Sequence, residues 1–197
     1  MIPKPRKTEF TQNTSVHSET NVSISMRDNI VLRADIFKPA GDGQFPVLLS
    51  RIPYGKHRPR YHSLYIDPQR AVARGYAVVI QDVRGRHTSD GEFYPYRHEP
   101  NDGYDTVEWI ANQEWCNGKV GTLGSSHRAI TQTLLALQKP PHLSAMWIEA
   151  GPTNIYEHEA REGGAMSLQM FAALHIHALD CHEIGRDTEK AKTIIDA

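Results

Sequence analysis

Cysteine is nearly absent: the 197 residues hold two, Cys116 and Cys181, far apart in the chain. That excludes a disulfide framework. Reduced thiols, and with them a cytoplasmic location, are the expectation. Net charge is also nearly absent, with 22 Lys and Arg against 23 Asp and Glu, a formal −1. Such a balance carries no electrostatic footprint for nucleic acid or for an anionic membrane, so neither is expected as a partner. The basic cluster Lys56-His57-Arg58-Pro59-Arg60 is local and reads as a solvated loop. No apolar run nears the ~18 residues that suggest a membrane span. The opening MIPKPRKTEFTQ has basic residues without an apolar stretch behind them, so no secretory signal is expected. There is no internal repeat. There is no G-x-x-x-x-G-K-[ST] run and no G-x-G-x-x-G after a strand, which argues against nucleotide binding.

What is present is the balance of an ordinary globular chain, 39% apolar and 23% charged, long enough for one substantial domain. Residues 1–20 are polar and read as a loose arm. Segments 21–26 and 31–37 read as extended, and Arg27-Asp28-Asn29 turns one into the other, a β-hairpin. Val47–Ile52 is a compact strand ending at Pro53-Tyr54-Gly55. Pro68–Arg74 suits a short helix stopped by Gly75. Tyr76–Val83 is an almost unbroken apolar run, which suits a strand buried on both faces of a parallel sheet. Helical spacing follows over 102–113, a strand over 119–123, a helix over 129–138 ended by Pro140-Pro141, and a strand over 143–148. Strands alternating with helices predict an α/β fold with a mainly parallel sheet. From 152 onward the character is helical only.

The stretch GTLGSSHRAITQ, 121–132, stands where a buried strand turns directly into a helix. A nucleophile elbow needs that geometry, with G-x-S-x-G as its usual signature. Gly124-x-Ser126 supplies the first half, which favours Ser126 over Ser125. The tripeptide alone leaves a second reading open, in which both serines merely cap the next helix.

Longer blocks carry a resemblance. RIPYGK (51–56), GYAVVIQDVRGRHTSDGEFYPYRHEPNDGYDTVEWIANQEWCNGKVGTLGSS (75–126) and PPHL (140–143) are similar to the cocaine esterase/X-prolyl dipeptidyl peptidase family of α/β-hydrolases, over roughly residues 20–175. The resemblance implies an α/β-hydrolase fold with a helical cap inserted after the sixth strand. It divides the chain into an arm (1–20), the N-terminal part of the hydrolase core (21–151) and the start of the cap (152–197). It implies that Ser126 is the nucleophile of an acyl-enzyme mechanism. The backbone N–H of His127 and the hydroxyl of Tyr54 would form the oxyanion hole, where preset donors are worth ~10²–10³-fold each. No cofactor and no metal are expected. The substrate would be a small ester, amide or X-Pro peptide. The sequence leaves a homo-oligomer open.

Two positions depart from the family pattern. His127 stands where Tyr is usual, and Ala129 where Gly is usual. A backbone donor is indifferent to the first change, and Ala is still small. The His127 side chain is expected to point away from the nucleophile and not to serve as base.

A serine needs a base held by a third group, and in this fold the order is Ser, acid, His. The resemblance places both partners after the cap, so the sequence is expected to be truncated before the last strands. Downstream of Ser126 stand His142, His158, His175, His177 and His182. The cluster His175, His177, Asp180, Cys181, His182 lacks the spacing of a tetrahedral metal site and reads as helix-surface and cap residues. Asp82 and Arg84 sit at the carboxyl edge of the sheet, where Asp82 is expected as a hydrogen-bonded structural carboxylate, paired with an Arg. Two functions remain: a serine hydrolase, or a non-catalytic binding protein derived from that fold.

Overall fold

The computed structural model describes residues 15–60, 66–185 and 187–195. Most of the expected arm, 1–14, lies outside the described residues. Strands β1 (Val16–Ser25) and β2 (Val31–Pro39) form the hairpin. Its turn closes with Asn29 N–H donating to Met26 O at 2.9 Å, and Asn29 takes the positive φ of 65° that Asn tolerates. Residues 16–20, expected in the arm, belong instead to the outer half of β1, where Val16 faces Pro39 and Glu19 faces Ile36. The strand lies at the sheet edge with most side chains exposed. Its composition is therefore polar and resembles a loop.

Then come β3 (Phe45–Ile52), α1 (Pro68–Val72), β4 (Ala77–Asp82), α2 (Glu99–Ala111), β5 (Cys116–Ser125), α3 (His127–Ala136) and β6 (Leu143–Glu149). The sheet order is β1-β2-β4-β3-β5-β6. Strands β3 to β6 are parallel, and β2 runs antiparallel to β4. All six residues of β4 are buried, as the unbroken apolar run predicts. Side chains alternate between two cores. Val47, Leu49, Ala77 and Val79 join Val107, Ile110 and Leu135 of α2 and α3 on one face. Leu48, Val78, Ile80 and Leu123 join Ile66 and Ala71 beside α1 on the other. The two-faced burial follows from the period of two along each strand.

Beyond residue 150 the chain forms a π-helical turn (Tyr156–Ala160), a small ribbon of β7 (Arg161–Glu162) and β8 (Ala165–Met166), and helices α4 (Leu168–Leu179), α5 (His182–Gly185) and α6 (Thr188–Ile195). The ribbon corrects the helix-only reading. Its turn is Gly163-Gly164, both at positive φ (57° and 89°), a signature of two-residue hairpins. Strand β6 has no buried residue, and Trp147 is 67% exposed. Among the described residues, no helix is long and apolar enough to cross a membrane.

Candidate active site

Parallel pairing brings four strand ends to one edge. Ile52 lies beside Asp82, and Ser125 beside Glu149. The loops carrying Tyr54, Arg86 and Ser126 therefore leave the same carboxyl edge, where ligands bind in open α/β sheets. His142 lies in the loop before β6, at the opposite end. Its neighbour Val120, whose N–H donates to His142 O, stands five positions before Ser125 along β5, about 16 Å of strand. Its ring pairs with Glu108 at 2.8 Å.

The two serines differ. Ser125 ends β5 and is 8% exposed, whereas Ser126 is exposed. Ser126 has φ 60° and ψ −128°, a costly conformation for a residue with a Cβ, and its side chain makes no capping bond to α3. The capping reading therefore fails for Ser126. Backbone bonds fix it: its N–H donates to Glu149 O at 3.1 Å, and its carbonyl accepts from Ala129 N–H at 2.8 Å. Gly124 is required by close approach, because a Cβ there would come within 2.4 Å of Arg128 Cβ. Ala129 is accommodated by Gly151, where a Cβ would come within 2.4 Å of the Ala129 methyl. His127 opens α3, where the first amides of a helix have no intrahelical acceptor.

Tyr54 is half-buried in the loop after β3 and is held from both sides. Ahead of it, Pro53 O accepts from Arg86 Nε–H at 2.9 Å and lies 3.2 Å from His87 Nε2. Behind it, Lys56 N–H donates to Asp82 Oδ1 at 2.7 Å, and Asp82 Oδ2 accepts from Thr88 Oγ1 at 2.8 Å. Asp82 is thus a hydrogen-bonded structural carboxylate, with the backbone amides of Lys56 and Thr88 and the Thr88 hydroxyl as its partners. Arg84 pairs instead with Asp102 (2.6 Å) and Asp28 (2.7 Å). Lys56 also departs from the solvated-loop reading. It is 2% exposed, and its ammonium donates to Asp35 (2.8 Å) and Asn21 (2.6 Å).

The His127 ring is buried, 4% exposed, and faces a group of rings. Its centroid lies 4.7 Å from Tyr96, 5.7 Å from His177, 6.3 Å from Phe93 and 6.4 Å from Tyr54. His177 of α4 stacks on Tyr54 at 5.6 Å. Burial, then the neighbouring His177, Arg86 and Arg51, pushes the His127 pKa down to about 3. Burial, then Arg86, pushes His177 down to about 4. Both rings are neutral at pH 7 and are weak bases.

The sequence profile of the X-Pro dipeptidyl-peptidase (S15 family) matches residues 28–196. The chain belongs to the S15 family. The cocaine esterase of Rhodococcus sp. (strain MB1 Bresler) is 38% identical over 152 residues, 76% of this chain and 26% of that protein. A CocE/NonD family hydrolase from Staphylococcus aureus superposes with a TM-score of 0.78 at 27% identity, covering 100% of this chain and 42% of that one. An aminopeptidase from a marine sediment Thaumarchaeota archaeon gives 0.60 at 26% identity, over 77% of this chain and 28% of that one. The S15 chain has the α/β-hydrolase fold, and it spans about a quarter of the cocaine esterase it matches.

Within this S15 chain, the downstream cluster read from sequence separates into distinct roles. His177 stacks on Tyr54, Asp180 pairs with Arg86 at 2.8 Å, and His182 Nε2 lies 2.8 Å from His87 O. Cys181 Sγ donates to Ala178 O at 3.0 Å. Among the described residues, no group of three or more His, Cys, Asp or Glu could hold a metal ion. Sequence reasoning missed Arg86, Phe93 and Tyr96 as site residues. Arg86 and Phe93 lie in the long block already recognised, but the Arg86 side chain and the Phe93 backbone N–H meet partners roughly 90 residues downstream, which one sequence does not reveal.

Proposed function

We propose that the chain is the nucleophile-bearing part of a serine hydrolase, esterase-like or X-Pro dipeptidyl-peptidase-like, that cleaves ester or amide bonds through an acyl-enzyme. The observation that carries this reading is Ser126. It is exposed, strained at φ 60°, makes no cap bond, and stands at the carboxyl edge beside the Tyr54 loop. Strain at such a position persists only where the surroundings over-determine it, and it concentrates at working sites.

In this mechanism Ser126 Oγ attacks the carbonyl carbon, and the carbonyl π pair moves to oxygen. The Tyr54 hydroxyl and the His127 N–H donate to the developing oxyanion, which is charged only in and after the transition state. The leaving alcohol or amine departs as the carbonyl reforms, giving an ester on Ser126. Water then releases the acid. The proton of Ser126 passes to a histidine held by an acid, the pair this mechanism requires, and that histidine returns it to the leaving alcohol or amine. The rings of Phe93, Tyr96, neutral His127 and neutral His177 make an uncharged wall beside the elbow. Such a wall suits a small acyl or leaving group without charge.

The test is covalent labelling by a fluorophosphonate probe, which reports the nucleophile without turnover. In a protein that carries the acid and the histidine as well, Ser126 is expected to be labelled, and Ser126→Ala is expected to lose the label. Equal labelling of both proteins would remove Ser126 from the mechanism. No labelling of either would favour the non-catalytic binding reading.

A further inference from the structure

One arginine joins the Tyr54 loop, Phe93 and α4. Arg86 is 1% exposed and joins the sheet edge to α4. Its Nε–H donates to Pro53 O at 2.9 Å, Nη1 donates to His177 O at 2.6 Å, and Nη2 donates to Asp180 Oδ2 at 2.8 Å. Its guanidinium lies 4.9 Å from the centre of the Phe93 ring. The first contact fixes the carbonyl immediately before Tyr54. The next two fix the last turn of α4, including the backbone of the residue whose ring stacks on Tyr54. Tyr54 is thus held twice by α4, once through the His177 ring and once through Arg86. A second relay runs alongside, from His182 Nε2 to His87 O and from His87 Nε2 to Pro53 O.

We propose that Arg86 is a positioning residue that ties the seating of cap helix α4 to the placement of the Tyr54 hydroxyl. Phe93 N–H, which donates to Glu183 Oε1 at 3.1 Å, extends the same joint to α5. The rigid planar fork is what the task requires, because three acceptors in three directions are met by one group. An ammonium at the end of a lysine is a point donor on a flexible stem and does not reproduce that geometry. When α4 is seated, the peptide before Tyr54 is locked. When α4 lifts, the Arg86 fork loses the two acceptors that hold it oriented toward Pro53 O, and Tyr54 loses its stacking partner at the same time. The oxyanion hole is then complete only under a closed cap, a form of specificity in which correct closure assembles the site.

The inference rests on the reading of Tyr54 as an oxyanion donor, and the experiment separates the two. The rate of fluorophosphonate labelling at Ser126 is measured for Arg86→Lys, Arg86→Met, Tyr54→Phe and Tyr54→Phe/Arg86→Met. Misplacing one donor is expected to slow labelling about 10- to 100-fold for both Arg86 variants. Because Arg86 acts through Tyr54, the double variant is expected to be no slower than Tyr54→Phe alone. Losses that multiply would overturn the coupling. Amide hydrogen exchange gives a readout independent of any chemistry. In Arg86→Met, segments 53–57 and 168–180 are expected to exchange faster together, with β3 and β4 unchanged. Faster exchange in only one of the two segments would overturn the proposal, even in a chain that no probe labels. Asp180→Asn removes a single arm at a half-exposed position and keeps the test available if Arg86→Met does not fold. It is expected to speed exchange in both segments by a smaller factor, and an effect on α4 alone would again refute the joint.

Discussion

The two walls of the site are built by different means. The sheet-side wall rests on strand ladders and on charges fully enclosed by the core. Arg51 pairs with Glu99, with side chains 1% and 7% exposed, and Lys56 pairs with Asp35. The cap-side wall, α4 and the turn before it, has one buried residue, Met170, in its longest helix. It is held by the Arg86 fork, the His177 ring on Tyr54, the His182 contact to His87 O and the Glu183 contact. Buried ion pairs punish any change, because removing one partner strands the other charge. A few hydrogen bonds to a helix end give a wall that can leave without unfolding the sheet. The molecule therefore keeps the exposed Ser126 on the rigid side, and the ring cluster spans the joint, with His177 contributed by α4 and His127 by α3.

The largest expected effect breaks the rigid side. Arg51 Nη1 donates to Glu99 Oε2, and Arg51 Nε donates to Gln81, which in turn binds Thr106 of α2. Replacing Arg51 with Met leaves a buried carboxylate without its cation. Burial already pushes the Glu99 pKa up, with Arg51 opposing it. The variant is expected to lose about 3–5 kcal/mol at pH 7 by urea unfolding. The loss shrinks as pH falls, since the stranded Glu99 takes up a proton in the folded state. A loss below about 1 kcal/mol would mean that the two walls do not differ in the way described.

The next effect is on the ring cluster, and it depends on pH. His127 and His177 have folded values of about 3 and about 4, below the ordinary imidazole value. Between those values and about 6.5 the unfolded chain holds more protons than the folded one, so stability rises with pH in that window. Their contribution is complete above the unfolded value and is lost as pH falls from about 6.5 toward 4. For the enclosed His127 the slope approaches about 1.4 kcal/mol per pH unit. Urea midpoints are expected to fall between pH 7 and pH 5 in the parent chain, and less steeply in His127→Phe. An equal slope in both would place the acid sensitivity elsewhere.

The same contrast explains what could be read in advance. The sheet side was legible because strands announce themselves locally. The almost unbroken apolar run Tyr76–Val83 contains β4, and the turn at Gly124 separates an inner serine from an outer one. The cap side was legible only as helical, and the β7–β8 ribbon was missed although Gly163-Gly164 marks it. Strand β1 was shortened because an edge strand need not be apolar. Lys56, read as solvated, is enclosed because Asp35 and Asn21 arrive from other strands. Arg86 stands in a stretch of charges, Arg84 to His87, in which no local feature separates one arginine from the other. Its partners at 53, 177 and 180 are distant in sequence, and only folding selects it.

The smallest expected effect isolates that selection. Asp180 is approached by two arginines. Arg86 reaches it at 2.8 Å from a side chain 1% exposed, and Arg58 at 3.8 Å from one 50% exposed. A long pair in water gains little Coulomb energy, costs side-chain entropy and is screened by salt. Arg58→Ala is therefore expected to change stability by no more than about 0.5 kcal/mol. It is expected to leave the labelling rate of Ser126 and the exchange of segments 53–57 and 168–180 as they are. If Arg58→Ala instead loosened both segments as Arg86→Met does, net positive charge near α4 would be what seats the cap. The fork geometry would then be incidental. If it does not, the joint depends on the direction of three N–H groups, and the charge they carry is secondary.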